Sequence, residues 1–347
     1  MQEDKTPEGA TEQESISPSQ ERGRGLLRTS GIVSVFTMLS RILGLVRDIV
    51  LARVIGAEAL ADAFFVAFKI PNFFRRLFSE GAFSQAFVPV LGEYHERGGQ
   101  ILVRELVSRV FGNLGVVLLV VSIAVVVLSP LVTAIFAPSW YFAAPEKFFA
   151  TSEMLRITFP YLFFISLTGF AAGILNTYDR FAVPAFTPML LNVTLISAAI
   201  IAAPWFKEPT LALAWGVFCA GAIQFAFQLP FLSKIHMLPV PIIDWQHSGV
   251  RKILALMAPA IFGVSVSQIN LLLDTILATF LPSGSVSWLY YSDRLAQLPL
   301  GVFGVAIATV ILPNLSRHHA LDSEGAYSST LDWAIKMVLL TAVPASA

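Results

Sequence analysis

Residues 69–87 read KIPNFFRRLFSEGAFSQAF and decide the fold class, because they place charge inside a chain that is otherwise suited to lipid. Of 347 residues, 56% are hydrophobic and only 13% are charged, and the mean hydropathy is +0.72. A soluble domain carries about 25% charged residues. Apolar windows of about 18 or more residues recur along the chain, and such windows predict transmembrane helices. The sequence therefore predicts an all-α, polytopic membrane helix bundle.

The hydropathy pattern predicts nine membrane helices, separated by short connectors. They are placed at 28–55, 60–91, 104–137, 150–176, 184–205, 210–232, 250–281 and 286–316, with a ninth beginning near 329. Pro71, Pro160 and Pro259 fall inside these helices and are the expected kink points. Residues 1–25 are polar and acidic and lack the apolar core of a signal peptide, so they predict a disordered cytoplasmic tail.

Lys and Arg in short loops set the orientation of a membrane protein. With the N-terminus in the cytoplasm, the outer side holds only Lys147 and Lys207. Eleven cations then flank the cytoplasmic side: Arg22, Arg24, Arg28, Arg97, Arg104, Arg109, Arg180, Lys234, Arg251, Lys252 and Arg317. The net charge is zero, which gives no indication of nucleic-acid binding. The single Cys219 excludes an intrachain disulfide, and the five His residues lack metal-ligand spacing.

A weak internal repeat relates the first two helices to the seventh and eighth. AFSQAFVPVL at 82–91 aligns with AIATVILPNL at 306–315, and DIVLARVI at 48–55 aligns with DTILATFL at 274–281. An offset of six helices preserves membrane direction and predicts a parallel repeat. We therefore expect an N-terminal lobe of helices 1–6 at residues 26–235. Residues 236–347 would begin a pseudo-symmetric C-terminal lobe with helices 7–9, so we also expect the chain to be truncated.

Charges recur at mid-depth in helices 1, 2 and 8, where each Arg or Lys costs roughly 2.5–3.5 kcal/mol to insert. Helix 1 carries Arg41, Arg47 and Asp48. On helix 2, a stripe of roughly 80° at about 100° per residue holds most of the polar side chains. Its members are Asp62, Lys69, Asn72, Arg76 and Glu80. Arg75 lies off this stripe on a straight helix, and a bend at Pro71 would bring it in; helix 8 adds Arg294.

Six of these side chains are cations and only four nearby side chains are acids, so we expect a central cavity with surplus positive charge. The cations are Arg41, Arg47, Lys69, Arg75, Arg76 and Arg294; the acids are Asp48, Asp62, Glu80 and Asp293. Such a cavity favours an anion, and arginine forks fit phosphate oxygens. The alternative is that these charges form internal salt bridges that only hold helices together. Arg53, near the outer end of helix 1, is interpreted as an interfacial anchor.

Four stretches resemble the MviN/MurJ family, the lipid II flippases of the multidrug/oligosaccharidyl-lipid/polysaccharide exporter superfamily. They are SRILGLVRDIVLARVIG, ADAFFVAFKIPNFFRRLFSEGAFSQAFVPVL, ITFPYLFFISLTGFAAGILNTYDRFAVPAFTPMLLN and GVSVSQINLLLDTILATFLPSGSVSWLYYSDRLAQLPLGVFGVAIATVILP. The resemblance covers residues 26–347. It implies two six-helix lobes around a central cavity, within a bundle of fourteen helices that would extend past this chain.

The resemblance also implies a function and a set of site residues. The expected function is movement of lipid II, an undecaprenyl-pyrophosphate-linked precursor, from the cytoplasmic to the periplasmic leaflet of the inner membrane by alternating access. The expected substrate-binding residues are Arg41, Arg47, Arg75 and Arg294, with Ser40, Asp62, Lys69, Arg76 and Glu80 in or near the cavity. The expected partners are lipid II, the bilayer and a counter-ion, for a monomer without catalytic residues, cofactor or metal.

Two other classes of function are weighed against this one. A related exporter could carry another lipid-linked oligosaccharide, or a drug in exchange for a cation, but a cation exporter would be expected to line its cavity with carboxylates. A membrane enzyme acting on polyprenyl phosphates would need clustered acids or His at one membrane face, and the loops supply none. Which of Arg75 and Arg76 faces the cavity stays open at this point.

Overall fold

The computed structural model describes residues 18–299 and 324–346, and the regular elements in these ranges are helices. Seven elements make up the first half: α1 (Pro18–Ile55), α2 (Ala59–Phe74), a π-helix (Arg75–Phe83), α3 (Ser84–Val127), α4 (Ser129–Phe136), α5 (Pro138–Ala143) and α6 (Pro145–Thr158). The second half has α7 (Tyr161–Thr177), α8 (Ala182–Ser197) with short π and 3₁₀ extensions (Ala198–Ala202, Ala203–Trp205), α9 (Pro209–Lys234), α10 (Ser248–Ala278), α11 (Ser285–Pro299) and α12 (Glu324–Ser346).

Helical stretches long and apolar enough to cross a membrane number five among the described residues. They are Ala59–Val127, Pro145–Thr177, Ala182–Trp205, Pro209–Lys234 and Ser248–Val266. The predicted all-α membrane bundle is therefore confirmed. Residues 1–17, which form most of the predicted acidic tail, and the repeat segment at 306–315 lie outside the described residues.

Three predicted boundaries differ from the observed ones. Helix α1 begins at Pro18 rather than at 28, because proline suits the first turn of a helix and the polar residues after it accept helical geometry. The predicted loop at 92–103 is instead helical on both sides of Gly99, which turns the chain with a φ of +67° that glycine adopts freely. The predicted helix at 150–176 begins at Pro145 and is interrupted beside Pro160, as expected from that proline.

The π-helix lies directly after the proline of helix 2. Pro71 is inside α2 and supplies no backbone N–H, so the regular hydrogen-bond ladder is interrupted there. The next turns, Arg75–Phe83, adopt the wider i→i+5 pattern. A Cβ on Gly81 would lie 2.7 Å from the Arg76 carbonyl oxygen and 2.9 Å from Val264 Cγ1, so a glycine lets this wide turn pack against α10. Close to the bend predicted at Pro71, the chain thus changes from an α-helix to a π-helix.

Two apolar cores hold the described helices together. One core joins α2, α6, α7 and α9 and is rich in aromatic side chains, with Phe64, Phe65 and Tyr161 fully buried. The other core joins α3, α7 and α10 around Phe87 and Phe170, whose ring centroids lie 5.0 Å apart. Because α7 enters both cores, it fixes the walls formed by α2 and α3 relative to each other.

The segment at 235–247, which joins α9 to α10, lies along α3. Asn113 holds it by two hydrogen bonds to the backbone of Asp244, at 2.8 and 3.0 Å, and Arg109 Nε lies 3.1 Å from the Asp244 carboxylate. The backbone N–H of Ile242 donates to the Ser108 carbonyl at 3.2 Å. The close approach requires a glycine at 112, because a Cβ there would fall within 2.6 Å of the Ile242 backbone.

This contact predicts opposite effects at two glycines of α3. Gly112→Ala should destabilise the protein by about 1–3 kcal/mol, because the added methyl group collides with a backbone that cannot rotate away. Gly115→Ala is the matched control: nothing lies within 4 Å of its Cβ position, so alanine should stabilise the helix by about 0.5–1 kcal/mol. Thermal unfolding of the purified protein measures both. Equal melting temperatures for the two variants would contradict the packing described.

Candidate functional site

Two adjoining cavities lie where α1, α2, α8, α10 and α11 meet. The α2–α11 cavity, about 120 Å³, is lined by the polar face of α2 and the π-helix together with α10 and α11. Its charged and amide side chains are Lys69, Asn72, Arg75, Arg76, Gln268, Asp293, Arg294 and Gln297. The α1–α8 cavity, about 330 Å³, is lined by Ser40, Arg41, Gly44, Leu45, Arg47, Asp48, Pro188, Leu191, Asn192, Arg294 and Gln297. Because Arg294 and Gln297 line both, the two cavities share one wall.

Arg47 is the most strongly held cation of the site. It is 4% exposed and donates from Nε and Nη2 to Asp48 Oδ1, at 2.9 and 2.7 Å. Its Nη1 donates to Asn192 Oδ1 on α8 at 2.9 Å, and Nη2 also donates to the Tyr290 hydroxyl on α11 at 3.2 Å. Asn192 in turn donates to the Ser40 carbonyl at 3.0 Å. This network joins α1 to α8 and α11 and satisfies a charge that would otherwise be costly to bury.

Arg294 connects the network to the cavities. Its Nε lies 3.8 Å from Asp48 Oδ2, and its guanidinium carbon lies 5.4 Å from the centre of the Tyr290 ring. About a third of its side chain is exposed, so it presents charge to both cavities while Asp48 neutralises it only in part.

The π-helix decides the question of Arg75 and Arg76: both line the α2–α11 cavity. Residues of a π-helix advance by less than 100° each, so neighbouring side chains share a face more readily than on an α-helix. Arg75 Nε donates to Asn72 Oδ1 at 3.2 Å. Lys69, one turn before Asn72, donates to Thr275 Oγ1 on α10 at 3.0 Å. The straight-helix stripe had favoured Arg76 alone.

The balance of charge in the two cavities is strongly positive. Their described lining includes six cationic side chains: Arg41, Arg47, Lys69, Arg75, Arg76 and Arg294. It includes two carboxylates, Asp48 and Asp293. All six predicted cations thus meet in one region, although Arg294 of α11 is far in sequence from the others, which lie on α1, α2 and the π-helix. Their assignment to substrate binding remains a prediction.

Asp62 lies elsewhere, in the first turn of α2, and lines neither cavity. It is 1% exposed and forms a 2.6 Å ion pair with Lys147 of α6. It also accepts hydrogen bonds from the backbone N–H groups of Gly284 and Ser287, at 2.7 and 2.8 Å, and from the Ser287 hydroxyl at 2.6 Å. A carboxylate at the N-terminus of α11 is favourable for both hydrogen bonding and dipole reasons. Its geometry is that of an anchor for α6 and α11.

The sequence identifies the charged residues of the membrane helices but not the residues with which they pair. Lys147 was assigned to an outer loop, but it is buried in the first turn of α6, 4.2 Å from the centre of the Trp140 ring. Nothing in the sequence signals its pairing with Asp62, 85 positions away. The side chain of Glu80 lies outside the described residues. Within the described part, no group of three or more His, Cys, Asp or Glu is arranged to hold a metal ion.

A family model described as "Lipid II flippase MurJ" matches residues 51–347. The chain belongs to the MurJ family. A Vibrio cholerae member, named "Probable lipid II flippase MurJ", is 52% identical over 326 residues, which cover 92% of this chain and 62% of the relative. A Burkholderia cenocepacia member, "Lipid II flippase MurJ", is 44% identical over 327 residues, which cover 93% of this chain and 62% of the relative. The chain therefore spans about 62% of the length of these MurJ relatives.

Solved structures agree with the MurJ assignment. A structure titled "Lipid II flippase MurJ, inward closed conformation" superposes with a TM-score of 0.72 at 29% identity, covering 88% of this chain and 62% of the other. An inward-facing multidrug transporter of the MATE family gives a TM-score of 0.68 at 14% identity, covering 89% and 70%, and shows the shared fold alone. This MurJ-family chain is a multi-pass integral protein of the inner membrane.

The buried anchor predicts a large effect at Asp62 of this MurJ chain. Asp62→Asn should destabilise the protein by about 3–5 kcal/mol, because it leaves Lys147 buried without a counter-charge. Adding Lys147→Met should recover part of the loss. The matched control is Asp332→Asn: its pair with Lys336 is also 2.6 Å long but is well exposed, so it should cost under about 1 kcal/mol. Thermal unfolding of the four proteins tests this, and similar losses at Asp62 and Asp332 would contradict it.

Proposed function

We propose that the protein containing this chain moves lipid II from the cytoplasmic to the periplasmic leaflet of the inner membrane by alternating access. The observation that carries the proposal is the convergence of six cations and only two carboxylates on the described lining of two adjoining cavities within a membrane bundle. The relatives named above are called lipid II flippases, which agrees with this substrate. On this proposal the protein is a transporter and not an enzyme.

The cavity chemistry suits a pyrophosphate. Guanidinium groups donate two parallel hydrogen bonds to phosphate oxygens, and a poorly hydrated cavity strengthens each contact. Arg41, Arg75 and Arg294 are the best candidates for direct contact, because Arg47 already has its donors engaged by Asp48, Asn192 and Tyr290. Lys69 and Arg76 would add charge from the same wall, while Arg47 would hold α1, α8 and α11 in place around the anion.

The proposal includes an orientation and a lobe arrangement. We place the N-terminus in the cytoplasm, because eleven Lys and Arg then flank the cytoplasmic side. Lys147 no longer counts on the outer side, since it is buried against Asp62, and this leaves Lys207 there. Residues 26–235 would form the N-terminal lobe and 236–347 the start of the second lobe, with the cationic cavities between them. The protein would act as a monomer.

The second candidate is a related exporter of another lipid-linked oligosaccharide, which the same cationic lining would also accommodate. Exchange of a cationic drug is less favoured, despite the fold shared with a MATE transporter, because the lining repels cations. Complementation separates the first two: restored cell-wall synthesis supports lipid II, whereas restored export of a surface polysaccharide alone would support the alternative.

Replacing the cavity arginines should slow transport strongly. In the full-length protein, Arg41→Ala, Arg75→Ala and Arg294→Ala should each lower lipid II flipping by at least about tenfold, since each removes a charge-assisted contact of roughly 1.5–3 kcal/mol. The assay is flipping in cells depleted of their native flippase, with protein levels measured in the membrane. Arg53→Ala is the control on the same helix as Arg41, because Arg53 is exposed and lines neither cavity. Normal flipping by all three cavity variants would refute the proposal.

The rate of outward transport should depend on the membrane potential. A pyrophosphate that moves outward, away from the negative interior of the cell, gains about 2.3 kcal/mol per charge per 100 mV. Collapsing the potential with an ionophore should therefore slow outward movement of lipid II, and the rate should recover when the potential is restored. An unchanged rate at zero potential would indicate that another source, such as counter-ion exchange, drives the step.

A further inference from the structure

The segment at 235–247, which we call the α9–α10 connector, turns apolar side chains away from the protein. Between residues 238 and 245, five large apolar side chains are 43–62% exposed: Leu238, Val240, Ile242, Ile243 and Trp245. The connector is nevertheless fixed to the protein, because Met237 is fully buried in the core of α3, α7 and α10. Exposed apolar side chains grouped in this way mark a surface that contacts another protein or a membrane.

The backbone of the connector is suited to a medium without water. Positions 239 and 241 are prolines, which have no N–H group to satisfy. Ser108 of α3 accepts from the N–H groups of Val240 and Ile242, with its hydroxyl at 3.3 Å and its carbonyl at 3.2 Å. Asn113 of α3 accepts from the Asp244 N–H at 3.0 Å. Non-helical backbone at membrane depth requires such pairing, because lipid offers no hydrogen bonds.

The position of the connector in the fold places it at a membrane surface. It joins the membrane-crossing stretches Pro209–Lys234 and Ser248–Val266, which therefore reach the same side of the bilayer. Arg109 is the last charged residue of α3, which continues to Val127. The hydrogen bonds of the connector to Ser108 and Asn113 lie on either side of Arg109. The connector thus lies at the level where α3 passes from head groups into acyl chains.

The charges at the two ends of the connector favour anionic lipid as the occupant. Lys234 directly precedes the connector and Arg251 follows it by four positions, and both are exposed. Asp244 is the single acid in the connector sequence and is paired with Arg109. Cations beside an apolar membrane surface attract anionic head groups, and Trp245 is of a type enriched at such interfaces. A partner strand is disfavoured, because α3 already engages the donors it would need.

We propose that the outward face of the α9–α10 connector, residues 238–245, is a binding surface for anionic phospholipid. Its apolar side chains enter the acyl region of one leaflet, and Lys234 and Arg251 bind the head groups above it. Because the connector joins residues 26–235 to 236–347, this contact holds the joint between the two expected lobes in the leaflet. The contact itself does not depend on transport. Its assignment to the cytoplasmic leaflet rests on the orientation given with the proposed function.

Fluorescence quenching tests the surface in the purified full-length protein in phospholipid nanodiscs. Ile243→Cys carries a fluorescent label, and the other cysteines, including Cys219, are replaced by serine. Lipids brominated on their acyl chains should quench this label, and aqueous iodide should not. The control label at Gln100→Cys, an exposed polar position of α3, should show the reverse. Equal quenching of both labels by iodide would overturn the proposal, and Val240→Cys provides the same measurement should Ile243→Cys fail to fold.

The preference for anionic head groups has a separate readout. Bromine carried by phosphatidylglycerol should quench the label at Ile243→Cys about twofold or more strongly than bromine carried by phosphatidylcholine at the same mole fraction, because the two cations enrich the anionic lipid. Lys234→Gln with Arg251→Gln should remove this difference. Lys207→Gln, at an exposed cation before α9, is the matched control and should preserve it. Equal quenching by the two lipids with both cations present would overturn the head-group contact.

Failure of this proposal and failure of the proposed function are distinguishable. The nanodiscs contain no lipid II, so quenching reports on the connector alone, whereas flipping in cells tests the function. The leaflet has its own measurement: a membrane-impermeant thiol reagent added outside spheroplasts should not label Gln100→Cys. Labelling of Gln100→Cys from outside would overturn the assignment to the cytoplasmic leaflet, together with the proposed orientation.

Discussion

A charge inside a bilayer has to be paired or has to face a polar cavity, and this constraint organises the whole molecule. Arg47 is paired, by Asp48, Asn192 and Tyr290, and the pairing joins three helices. Asp62 is paired, by Lys147 and the first turn of α11, and this joins α2, α6 and α11. The remaining cations of the site are gathered around cavities. The same electrostatic cost thus produces both the anchors of the fold and the surface that a substrate would meet.

A helical wheel of helix 2 does not show which charges form internal salt bridges and which line a cavity, and the structure distinguishes the two. Asp62 and Lys69 lie on one stripe of helix 2, and a straight helix assigns them to one wall. The structure separates them along the helix: Asp62, in the first turn of α2, caps α11, whereas Lys69 reaches a cavity beside Thr275. The alternative of internal salt bridges is therefore realised for Asp62 and Arg47, and the cavity lining is realised for Lys69, Arg75, Arg76 and Arg294.

Much of the fold follows from the sequence because hydropathy and membrane thickness leave few choices. The all-α membrane class and the break beside Pro160 were predictable in this way. The six cavity cations could also be named, because a cation at mid-depth in a membrane helix is costly unless it is paired or faces a polar cavity. The partners could not be predicted, because Lys147 and Asp62 are 85 positions apart. Such pairings depend on tertiary packing, which periodicity does not encode.

The π-helix has a consequence for the length of the chain rather than for its composition. A π turn holds one more residue than an α turn, so Arg75–Phe83 stores a single extra position between Pro71 and α3. Many substitutions at its outward positions would leave that count intact. Removal of one residue from the segment would let the ladder return to i→i+4 bonding and would leave the side chains after it near their present faces, while Arg75 and Arg76 would again lie about 100° apart. The number of residues in this segment therefore decides whether both arginines share one cavity wall.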